Sequence, residues 1–136
     1  MKRMKKLSVS IIMSLVICLM FSTTAFAAPA PSLTSVRITD VTADQNDLVY
    51  IEVLEMGTSS TRFVYCNNQL LQENINEMIP VDTNGDHIID GYIRYFNTGY
   101  RVSDIYPGLQ FNVRAEYRNA MQPWNTIYAN QIFTFQ

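Results

Sequence analysis

The chain has 136 residues, 48% of them hydrophobic, with 10 basic against 12 acidic side chains. That length suits one small domain. The charge balance excludes the basic surface that nucleic-acid binding needs, and equally a surface made for anionic membranes.

The N-terminus predicts export. Lys2, Arg3, Lys5 and Lys6 form a basic opening, and "LSVSIIMSLVICLMF" follows as an apolar run. About fifteen apolar residues fit a signal core, whereas a spanning helix needs about twenty. "AFA" then offers small residues for cleavage after Ala27. We read residues 1–27 as a secretory signal, 28–32 as an extended Pro-containing leader, and 33–136 as a single domain. The expected location is extracellular, with no membrane attachment after cleavage. The cut removes every lysine, leaving Arg37, Arg62, Arg94, Arg101, Arg114 and Arg118 to face all 12 carboxylates. Without lysine there is neither a Walker-type phosphate lysine nor Schiff-base chemistry. Cys66 is the one cysteine left, so no internal disulfide forms, and its place at the end of "RFVYC" predicts burial.

Strand patterns run the length of the remainder. "LTSVRITDV" (33–41) sets Val36 and Ile38 against Arg37 and Thr39, and "DLVYIEVLEM" (47–56) aligns Val49, Ile51 and Val53. "STRFVYC" (60–66) leads into Asn67-Asn68, a pair tolerant of positive φ and therefore a hairpin turn into "QLLQE". In "LLQENINEM" the spacing of Leu71, Ile75 and Met78 is helical, while two asparagines and Pro80 oppose a long helix; a short helix and a strand plus loop both stay open. "HIIDGYIRYFN" (87–97) follows. "GLQFNVRAEYR" (108–118) alternates cleanly, with Phe111, Val113, Ala115 and Tyr117 on one face. "TIYANQIFTFQ" (126–136) ends the chain. Six or seven short strands predict an all-β fold, an immunoglobulin/fibronectin III-like antiparallel β-sandwich.

Two resemblances accompany this pattern. "IYPGLQF" at 105–111, running into "NVRAEY", resembles the approach to strand F of fibronectin type III and related sandwiches, with Phe111 where that family carries its corner tyrosine. "APAPSLTSV", "IEVLEMG", "PVDTNGDHIIDGYIRY" and "PWNTIYANQIFTF" together resemble the YolA family of small secreted proteins, whose domain has no known function. That resemblance implies secretion and one compact domain, and it supplies no catalytic residues.

One stretch suggests an ion site. In "DTNGDHIIDG" the side chains of Asp82, Asn84, Asp86 and Asp90 and the carbonyl of Ile88 match positions 1, 3, 5, 9 and 7 of a calcium loop. His87 occupies the sixth position, where such loops place glycine at positive φ, and Ile93 falls at the twelfth, where it cannot ligate. Glu52, Glu55 and Asp104 are the carboxylates that the fold would have to recruit. The competing reading is a polar turn, since Asn-Gly favours hairpins and Asp and Asn cap their own backbone. The expected affinity is weak, about 10⁻⁴–10⁻³ M.

No catalytic constellation emerges. His87 is the sole histidine, there is no G-x-S-x-G elbow, and no zinc pair can form. Glu73 and Glu77 read as a solvated face rather than an acid/base pair. Tyr92, Tyr95, Phe96 and Tyr100, or Trp124 and Tyr128, are aromatic groups that serve either as core or as a sugar-stacking platform. The leading expectation is a secreted, non-enzymatic module that binds a protein or cell-envelope ligand, with calcium ordering the 82–90 loop. The alternatives are a carboxylate-dependent extracellular hydrolase and an exported competition factor or small toxin.

Overall fold

The computed structural model describes residues 31–136. The stretch read as a signal, 1–27, and the first residues of the expected leader lie outside the described residues. Among the described residues nine strands form: β1 (Ser35–Ala43), β2 (Leu48–Met56), β3 (Ser59–Cys66), β4 (Gln69–Leu70), β5 (Gln72–Glu73), β6 (Ile79–Val81), β7 (Gly91–Arg101), β8 (Gln110–Asn119) and β9 (Thr126–Thr134). They make two antiparallel sheets. One runs β1-β2-β7-β5, with β6 also on β7; the other runs β4-β3-β8-β9. Short β5 and β6 share the outer edge of β7 in relay, β5 opposite Asn97 and Phe96, β6 opposite Ile93 to Gly91.

The core follows from period-two patterning. Val49, Ile51 and Val53 of β2 are buried, as are Phe111, Val113, Ala115 and Tyr117 of β8. Val64 and Cys66 of β3 and Phe96 of β7 join them in one cluster spanning both sheets. Phe111 lies 5.0 Å from both the Tyr100 and the Phe135 rings, centroid to centroid. Each large side chain buried in this way stabilises by about 1.5–3 kcal/mol, which matters in a small domain without a disulfide.

The Asn67-Asn68 turn forms as its residues require, with φ of 50° and 67°. The undecided 71–78 segment carries no helix. Leu71 is buried, but Ile75 is 76% exposed, so the helical spacing gathers no common buried face. β7 starts at Gly91, later than the apolar run at 88 suggested, because residues 82–90 stay in a polar loop. Gly91 is set by crowding: a Cβ there would lie 2.1 Å from the carbonyl oxygen of Glu55 on β2.

Candidate functional site

The 82–90 loop is almost wholly exposed and is held by its own polar atoms. Asp82 Oδ1 accepts from the backbone N–H of Asn84 and Gly85, and its Oδ2 from that of His87 at 2.9 Å. Asn84 Oδ1 accepts from the Asp86 N–H, and Asp86 Oδ1 from the Ile88 N–H. Asp90 turns instead to Thr83, whose hydroxyl and backbone N–H both donate to it. Those bonds, the hydroxyl's first, hold the Asp90 carboxyl below its ordinary value. His87 takes a φ of 66°, the left-handed turn that glycine makes in calcium loops.

The recruits named from sequence are placed apart from one another. Asp104 sits beyond the far end of β7, bonded to the Arg101 N–H. Glu52 lies opposite Tyr95 and accepts from the Thr39 hydroxyl. Glu55 is fully buried. Among the described residues no group of three or more His, Cys, Asp or Glu side chains is gathered to hold a metal ion.

Glu55 belongs to a feature the sequence reading missed. Its Oε1 accepts from Arg94 Nε and its Oε2 from the Ser59 hydroxyl. Arg94 Nη1 donates to Glu73 Oε1 at 2.7 Å, Arg62 Nε donates to Glu73 Oε2 at 3.0 Å, and Arg62 Nη1 donates to Ser59 Oγ at 3.2 Å. The circuit closes: Ser59, Glu55, Arg94, Glu73, Arg62 and back to Ser59, two carboxylates against two guanidiniums. Burial opposes the Arg94 charge, yet bonding to Glu55 and Glu73 outweighs it and holds the guanidinium above its ordinary value. The Tyr117 hydroxyl is buried with no hydrogen-bond partner among the described residues, and burial followed by the nearby Glu55 charge pushes its phenol up. Period-two parity was the available signal. Glu55 continues the inward row 49, 51, 53, and Arg62 and Arg94 precede inward Val64 and Phe96 by two.

The circuit anchors the wall of a cleft. Glu73 sits on two-residue β5, from which the 74–78 segment crosses the outer face of the first sheet, and the Asn74 N–H donates to the Tyr95 carbonyl. Between segment and sheet lies a space of about 410 Å³ lined by Tyr50, Gln72, Glu73, Asn74, Ile75, Asn76 and Asn97. A smaller space of about 240 Å³ adjoins it through Tyr50 and adds Asp44, Glu77 and Tyr95. Tyr50 is only 7% exposed. Burial and then Asp44 raise its phenol above the ordinary value; burial and then Glu52 do the same for Tyr95. Both stay protonated hydrogen-bond donors at neutral pH. Glu73 and Glu77 are thus separated in role, one locked between arginines and the other at the second space.

Trp124 and Tyr128, paired above as one aromatic group, are both exposed. Tyr128 lies on the outer face of the second sheet, across Glu116 from Phe63. Phe96 of the other group is core, and Tyr100 packs on Phe111. His87 stands on the exposed loop, its backbone N–H donating to Asp82.

Fold and site together define a small all-β domain of two antiparallel, sandwich-like sheets with a polar cleft on one outer face. No curated protein and no solved structure matches the chain. Residues 45–133 match the model of the family described as a domain of unknown function, DUF4879, and the chain belongs to that family.

Proposed function

We propose that the protein is a secreted, non-enzymatic binding module, an immunoglobulin/fibronectin III-like sandwich that uses the cleft beside Tyr50 to hold a cell-envelope ligand. The observation that carries this reading is the contrast between two polar regions. The two inward carboxylates, Glu55 and Glu73, are each bound to arginine, so neither serves as a free acid or base. Apart from the arginine-bound Glu73, the polar lining of the cleft is four amides and the Tyr50 phenol, groups that bind without reacting. Its volume of about 410 Å³ falls within the span of small-molecule sites. The export signal and the resemblance to YolA-like secreted proteins support an extracellular setting.

Weak calcium ordering of the 82–90 loop is part of the proposal, favoured by the left-handed turn at His87. An ion would take Asp82, Asn84, Asp86 and Asp90 with the Ile88 carbonyl, drawing Asp90 away from Thr83.

Co-sedimentation with purified cell-wall sacculi tests the module. The protein should pellet with them and release no reducing ends. Release of reducing ends that Glu73→Gln abolishes would overturn the reading in favour of a hydrolase.

A further inference from the structure

The identity of the ligand can be taken further, on the premise that the cleft is the binding site. We infer that the cleft recognises a neutral, polyhydroxylated chain, a glycan without charged groups. Four side-chain amides line it: Gln72, Asn74, Asn76 and Asn97. Two of them are fixed in orientation. Asn97 Oδ1 accepts from the Gly99 N–H at 2.8 Å, and Asn74 Oδ1 accepts from the Asn76 N–H at 3.3 Å. With their carbonyl ends engaged, both residues keep their NH₂ groups as donors without a partner among the described residues. The side chains of Gln72 and Asn76 make no hydrogen bond among the described residues and retain both donor and acceptor. A sugar hydroxyl donates and accepts at once, and a primary amide matches it in both senses. Tyr50, 7% exposed and with its hydroxyl donating to Asp44 Oδ2 at 3.4 Å, adds a fixed wall to the cleft rather than a stacking face.

Other ligand classes fit less well. An anion finds no countercharge, because no arginine lines the cleft and Arg62 and Arg94 are bound to Glu73. A peptide adding itself as a strand needs a free edge, and β5 and β6 already occupy the edge of β7 beside the cleft. Peptide side chains also need apolar pockets, and Ile75 is the sole aliphatic residue in the lining.

Backbone amide NMR of the labelled protein tests this, with cellotetraose, the N-acetylglucosamine tetramer and mannotetraose as neutral probes. Tetra-alanine, spermine and a heparin tetrasaccharide are the contrasting probes. At least one neutral probe should give saturable shifts at Asn74, Tyr95 and Asn97. Asn74→Asp and Asn97→Asp keep the oxygens that accept from the Asn76 and Gly99 N–H groups and delete the NH₂ donors, and each should weaken that binding by about tenfold with the rest of the spectrum unchanged. Saturable cleft shifts from a contrasting probe alone would overturn the glycan assignment and leave the cleft as the site. Neutral probes shifting Phe63 and Tyr128 instead would overturn the cleft itself. Silence of the cleft towards all six probes overturns both.

Discussion

Replacing Arg94 with methionine strikes the buried circuit at its most connected point. Arg94 bonds to Glu55, which is 0% exposed, and to Glu73. Methionine keeps much of the stem volume and removes the charge. Glu55 then retains only the Ser59 hydroxyl, and Glu73 only Arg62. Removing one partner of a buried ion pair costs about 3–5 kcal/mol, because the remaining charge stays desolvated without compensation. For a domain of this size that amounts to a fall in melting temperature of about 15–30 °C, against a total stability of about 5–15 kcal/mol. Urea unfolding followed by tryptophan fluorescence measures it, and an unchanged slope with denaturant keeps the comparison two-state. Adding Glu55→Met to Arg94→Met removes the stranded charge and should recover most of the loss. Were Arg94→Met to cost less than about 1 kcal/mol, or the double variant to be no better than the single, the reasoning about the circuit would be refuted.

Burial pushes the Cys66 thiol up to about 11, so native protein should resist a thiol-specific disulfide reagent at about pH 8 and react fully once unfolded; prompt native labelling contradicts the buried placement. Asp90 is held below its ordinary value by Thr83, so it adds stability above the unfolded carboxyl value of about 3.9, and that contribution fades as pH falls through the lower folded value. The gap in urea midpoint between wild type and Asp90→Asn should accordingly be largest near about pH 7 and close in acid; a gap indifferent to pH contradicts the bond to Thr83. Millimolar calcium should raise stability by on the order of 1 kcal/mol, measured as a melting shift against chelator, and Asp82→Ala with Asp86→Ala should erase the shift. Equal melting of the wild type with and without calcium rejects ordering by the ion.

Strand alternation made much of the fold legible. The inward rows of β2 and β8 are apolar until they end in Glu55 and Asn119, and apart from Tyr50 the buried residues are those that period two selects. The 71–78 segment was ambiguous for a physical reason: its conformation is set by tertiary anchors near its start, Glu73 on the two arginines and Asn74 on Tyr95, rather than by local periodicity. The same anchors shape the cleft, so the candidate site was hidden with them. Glu55 was visible to parity and overlooked because a carboxylate in an apolar row reads as an outward residue until its arginines are placed. The polar loop was legible as an exposed bend, whereas His87 was read as a departure from the motif and yet takes the left-handed turn that the motif assigns to glycine.

The relay of β5 and β6 along β7 carries a consequence for how this sheet edge meets other chains. The longest of the described strands presents no continuous rail of unsatisfied amides and carbonyls on which another chain can template itself. Two scraps of strand, one of them opening on Ile79-Pro80, act as guards over an otherwise sticky margin. Cutting or loosening the 72–81 stretch would therefore bare that margin, and clumping of the nicked protein, more than loss of its core, would be the first sign of damage.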